Sequence, residues 1–126
     1  MRTALRTVVA AVAMGATAAT LAAAPASAAG HKVYTSYNTT TTAKATFHSY
    51  GDWYQLKDLV PEGIGVALQY KKKGDEVETM HWSGQDWPAA RYEDYREGQV
   101  VYFRACSQKG QYGKVRYCDD WIKGTA

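Results

Sequence analysis

The chain has 126 residues, with 15 basic and 12 acidic side chains and a formal charge of +3. Two of the cations, Arg2 and Arg6, precede an apolar run, so the 98 residues after position 28 carry 13 basic against 12 acidic groups. That balance excludes capture of nucleic acid or an anionic membrane by charge, and the remaining length suits one small domain.

Residues 1–28 read as an export signal. Arg2 and Arg6 form a positive start, "VVAAVAMGATAATLAAA" an apolar centre, and Ala26-Ser27-Ala28 the small-x-small pattern that precedes cleavage. Gly15 and Pro25 interrupt the run and no stop-transfer charges follow, which argues against a retained membrane helix. The expected location is extracellular. All 16 aromatic residues follow the signal, a density that suits a β-rich core or an aromatic recognition surface.

Next comes "GHKVYTSYNTTTT", residues 30–42, rich in residues that favour extended backbone and free of charge between Lys32 and Lys44. Three fates are open to it: the first strand of its own sheet, a polar leader without structure, or a strand donated to a partner. The hairpins further on already supply about six strands, and "NTTTT" reads as a tether. Donation is therefore the expectation, with residues 29–42 a free extended arm and the domain spanning 43–126. On strand alternation Val33 and Thr35 face one way and Tyr34 and Ser36 the other, with Tyr34 and Tyr37 able to fill aromatic-sized pockets.

The rest alternates apolar and polar residues between turn signals, the pattern of an all-β chain. In "AKATFHSYGDWYQLKDL" a two-residue turn at Gly51-Asp52 pairs Tyr50 with Trp53 and puts Ala45, Phe47, Tyr54 and Leu56 on a core face. In "GVALQYKKKGDEVETMHW" a turn at Gly74-Asp75 pairs Lys73 with Glu76 and Lys71 with Glu78. Val66, Leu68, Tyr70 and Val77 then point inward, and the lysine run is a solvated, charge-paired edge. "ARYEDYREG" reads as a short edge strand entering a turn, with Glu93, Asp94 and Glu97 solvated.

The last hairpin, "QVVYFRACSQKGQYGKVRYCDDWIK", holds both cysteines. An even pair in an exported chain predicts a disulfide, Cys106–Cys118, on the outer face and between neighbouring strands of one sheet. If the two cysteines face each other, Tyr102 sits near Ile122 and Arg104 near Asp120. Val101, Phe103, Ala105, Val115, Tyr117 and Trp121 then take the core side.

These strands resemble an immunoglobulin-like or fibronectin-III-like sandwich. "YREGQVVYFRAC" is similar to the fibronectin-type run from a Gly turn into an aromatic strand, and departs from it where Val101 stands at the corner-Tyr position, with Tyr102 one place late. The whole precursor, a signal, an uncharged arm and a one-disulfide β domain ending in "YCDDW", looks like small secreted actinobacterial proteins. Its layout is similar to the adaptor subunit of umbrella toxin particles. The resemblance implies a trypsin-fold lectin and a repeat-bearing toxin as partners, with residues 30–42 lodged in a cleft of the lectin.

Catalytic signatures are missing from the sequence: it has neither G-x-S-x-G nor H-E-x-x-H, and no cysteine is left as a nucleophile. His31, His48 and His81 are scattered, and Asp119-Asp120 point to opposite faces of a strand. The expectation is a small antiparallel β-sandwich that is not an enzyme and holds no metal or cofactor. It would bind other secreted proteins through Val33, Tyr34, Thr35 and Tyr37 of the arm and through Tyr50, Trp53, Tyr102 and Arg104 of the domain. Two alternatives are a protease inhibitor working through "SQKGQYGKV" or the arm, and a carbohydrate-binding module using Trp53, Trp82 or Trp87.

Overall fold

The computed structural model describes residues 31–60, 63–84 and 87–126; the expected export signal and the first two residues of the expected arm lie outside them. Among the described residues there are nine strands and no helix: β1 (Val33–Tyr37), β2 (Ala43–His48), β3 (Trp53–Asp58), β4 (Gly65–Lys72), β5 (Glu78–Trp82), β6 (Ala89–Tyr92), β7 (Val100–Gln108), β8 (Val115–Arg116) and β9 (Ile122–Thr125). A four-stranded antiparallel sheet in the order β1-β2-β3-β6 faces a five-stranded one in the order β5-β4-β7-β8, with β9 also paired to β7. The layers are those of a sandwich. An immunoglobulin constant domain lines up its first, second, fifth and fourth strands in one sheet, whereas here three consecutive strands form a meander.

The core follows from period-two alternation. Ala43, Ala45 and Phe47 of β2 and Tyr54 and Leu56 of β3 meet Val66, Leu68 and Tyr70 of β4 and Val101, Phe103 and Ala105 of β7, all buried. Full burial of one such aliphatic or aromatic side chain contributes about 1.5–3 kcal/mol.

The first predicted hairpin is shifted in register by two residues. His48 pairs with Trp53 and Phe47 with Tyr54, which leaves a four-residue loop with Gly51 and Asp52 both at positive φ. An even shift preserves the faces, so the core set stands while the Tyr50–Trp53 pair does not form. The second turn is displaced by one. The backbone closes from Asp75 N–H to the Lys72 carbonyl at 3.0 Å, and Tyr70 faces Glu78. Val77 is consequently exposed, and Met80 and Trp82 pack on the core in its place. The expected Lys73–Glu76 and Lys71–Glu78 partnerships give way to a Lys72–Asp75 bridge of 3.3 Å.

The disulfide joins Cys106 of β7 to Cys118 in the segment between β8 and β9, and neither residue belongs to the apolar core cluster. Around it the ladder changes register: Ser107 faces Arg116, whereas Phe103 faces Ile122. Tyr117, at φ 53°, takes up the extra length. That irregularity turns Tyr117 and Trp121 away from the core face expected for them: Tyr117 is exposed, and Trp121 lies beneath the cations of Lys71 and Arg104.

Residues 33–37, expected as a free arm, form the edge strand β1, so the sandwich begins ahead of residue 43. Val33 faces His48 and Tyr37 faces Lys44 on β2. The "NTTTT" stretch is a turn ordered by Asn38. Its side-chain oxygen accepts from the N–H groups of Thr42 (2.6 Å) and Ala43 (3.0 Å), and its amide donates to Thr40, Thr42 and Ser107.

Candidate partner-binding surfaces

The alternation of β1 decides what it offers. Tyr34 points inward and stacks on Phe47 at 6.1 Å, and Ser36 is buried. The Ser36 hydroxyl accepts from Ala105 N–H and donates to Asp119 Oδ2, both at 3.2 Å, where β7 passes its irregularity. Asp119 N–H in turn donates to the Ala105 carbonyl at 3.0 Å. Tyr34 is thus a core-packing residue. Val33, Thr35 and Tyr37 point outward, with the Lys44 ammonium 5.8 Å from the Tyr37 ring centre.

The backbone of β1 has two unlike edges. Ser49 N–H donates to the Lys32 carbonyl and Asn38 N–H to the Ala43 carbonyl, which marks the even-numbered residues as the hydrogen-bonded positions of the β1–β2 ladder. The N–H and C=O groups of Val33, Thr35 and Tyr37 therefore point away from β2, and among the described residues no strand lies beyond β1 in the sheet. No charge or proline falls within Val33–Tyr37 to guard this edge.

On the same outer face a row of rings crosses the sheet. His48 stacks on Trp53 at 4.0 Å with the planes 8° apart, and Tyr92 stacks on the far side of Trp53 at 5.8 Å. The imidazole Nε2 of His48 is buried with no hydrogen-bond partner among the described residues. Tyr50 makes an edge contact with His31 at 4.3 Å. The Trp53 ring is thus flanked by His48 on one side and Tyr92 on the other, while Tyr92 itself stays exposed. Trp82 donates its Nε1–H to the Trp87 carbonyl at 2.7 Å, and neither residue joins the row.

The outer face of the five-stranded sheet brings Tyr102 and Arg104 together with residues the sequence did not flag. Arg104 donates through Nε and Nη2 to Gln69 Oε1 at 2.9 and 2.7 Å and lies 4.4 Å over the Trp121 ring. Lys71 lies over the same ring at 5.0 Å, and Lys123 faces Tyr102. The Arg104–Asp120 proximity expected from sequence is replaced by Gln69. The irregular register explains both that replacement and the missed Trp121. A Tyr/Trp/Arg cluster of this kind is the composition of interface centres.

The sheets also meet through phenols. Tyr54 and Tyr95 hydroxyls are 3.0 Å apart, and Tyr70 donates to Glu93 Oε1 at 3.1 Å. Glu93, expected in solvent, is thus held by Tyr70 and by Arg91 at 3.3 Å. Burial pushes the Tyr95 phenol up to about 12, and burial likewise holds Tyr54 and Tyr70 well above the ordinary phenol range. Among the described residues no group of three or more His, Cys, Asp or Glu is placed to hold a metal ion.

Comparison with protein-family models, with curated proteins and with solved structures finds no match.

Proposed function

We propose that the chain is a secreted, non-enzymatic adaptor. It takes up a strand of one partner along the open edge of β1 and holds a second partner on the outer face of the five-stranded sheet. The observation that carries this reading is the unguarded outward row of Val33, Thr35 and Tyr37. Strand addition at such an edge draws affinity from main-chain hydrogen bonds and specificity from alternate side chains. Here Val33 and Tyr37 supply exposed apolar contact beside that row. β1 thus receives a strand from a partner, in place of the insertion first expected from residues 30–42. The Tyr102, Arg104 and Trp121 cluster lies on the opposite outer face, so both partners can be held at once. The likeness in layout to umbrella-particle adaptors makes a trypsin-fold lectin and a repeat-bearing toxin the first pair to try.

Thr35→Pro tests the reading cleanly. Thr35 N–H points away from β2, so proline there removes no bond of the β1–β2 ladder but closes the edge. Affinity capture from culture supernatant, quantified by mass spectrometry for wild type and variant, should show one partner lost at an unchanged unfolding midpoint. Retention of every partner at wild-type affinity would refute edge addition.

A further inference from the structure

At the end of the sandwich where Asn38 meets Ser107, the β7–β8 hairpin and the chain entering β4 border an open groove of about 450 Å³. Lys109, Lys114 and Arg116 line it together with Ile64, Tyr117 and Ser107, and among the described residues no acidic side chain does. The salt bridges among the described residues lie elsewhere, at Lys72–Asp75 and Arg91–Glu93, so three cations crowd one hairpin with no ion pair to a described carboxylate. Ile64 and Tyr117 are 43% and 60% exposed and line the same groove. Tyr117 is held there at φ 53°, a region that bulky residues occupy only under constraint. The constraint is visible: Cys118 is bonded to Cys106, and Asp119 N–H is tied to the Ala105 carbonyl.

We propose that this groove binds an acidic segment of a partner protein. Its carboxylates would lie on Lys109, Lys114 and Arg116, and an aromatic or aliphatic side chain on Ile64 and Tyr117. Arg116 adds a planar donor fork suited to a carboxylate. An anionic polysaccharide would answer the charge but leave the apolar pair unused, which favours a peptide. The inference rests on the chain being a protein-binding module, but not on the β1 edge.

The test uses the full secreted chain and a fluorescein-labelled heptapeptide, Glu-Asp-Glu-Phe-Glu-Asp-Glu, followed by anisotropy at roughly 50 and 200 mM salt. Saturable binding that weakens with salt is expected. The double substitution Lys114→Glu/Arg116→Glu should weaken it about tenfold or more, and Lys73→Glu, exposed just past the far end of β4, should leave it unchanged. Tyr117→Gly, which keeps the left-handed backbone without steric cost, should weaken it about fivefold while circular dichroism stays that of the wild type. Absence of saturable binding overturns the proposal, as does equal loss with Lys73→Glu. Heparin binding tighter than the peptide and indifferent to Tyr117→Gly overturns it in favour of a polyanion site. Thr35→Pro should leave peptide affinity intact, so failure at the groove and failure at the β1 edge are told apart.

Discussion

The two ends of the sandwich are fastened by different chemistry. At one end Asn38 and Ser36 reach from β1 and its turn to Ser107 and Ala105 of β7 through an amide and hydroxyls that do not titrate, and Ser36 also donates to the Asp119 carboxylate. At the other, Tyr54, Tyr95, Tyr70 and Glu93 join the sheets through phenols that ionise in alkali. In alkali the first end depends on geometry alone, with each group placed to satisfy a specific buried partner. The second depends on geometry and on protons, so solution conditions can loosen it selectively.

The largest expected effect breaks the first end. Asn38→Ala strips the acceptor from Thr42 and Ala43 N–H and the donor from Ser107, and should cost about 3 kcal/mol in urea unfolding. A loss below about 1 kcal/mol would mean that the turn holds itself together. Ser36→Ala comes next, at about 2 kcal/mol, because it leaves the buried Ala105 N–H without its acceptor.

The other end should respond to pH. A phenol raised in the folded state keeps its proton while the unfolded chain loses its own, so its contribution is complete below the unfolded value of 10 and fades as pH climbs through the folded one. For Tyr95 that window runs from 10 to about 12. With allowance for its partial exposure, the loss there is on the order of 1–2 kcal/mol. Thermal unfolding midpoints measured across this range should fall, and Asn38→Ala should fall in parallel with wild type. Tyr95→Phe is the smallest change, within about 1 kcal/mol at neutral pH, and should flatten the alkaline slope. An unaltered slope would assign the sensitivity to Tyr54 and Tyr70.

How much of this the sequence disclosed depends on the parity of each error. The β2–β3 pairing is two residues from its expected register, yet Phe47 and Leu56 still point inward because side chains repeat every second residue. The β4–β5 turn is off by one, which was enough to expose Val77. β4 and β7 were legible throughout, since "VALQY" and "VYFRA" alternate without interruption. Tyr117 and Trp121 were misplaced because a left-handed residue in the middle of a strand pattern leaves no mark in composition. β1 was misjudged for a different reason. What fastens it is an amide meeting a hydroxyl 69 positions away, a match between polar groups that no periodicity displays. The turn-forming habit of asparagine was the available signal, and reading Asn38 as the organiser of a hairpin would have returned residues 33–37 to the sheet. Of the partner-binding candidates, Tyr34 packs against the core, while Arg104 was singled out without the Trp121 ring it lies over.

The open side of β1 also limits how concentrated the chain can be kept. An uncharged antiparallel edge is complementary to a second copy of itself, so the surface that would accept a partner's strand accepts a twin at high protein concentration. Self-pairing and partner uptake would then compete for one row of amides, and apparent affinity would decline as the stock is made stronger.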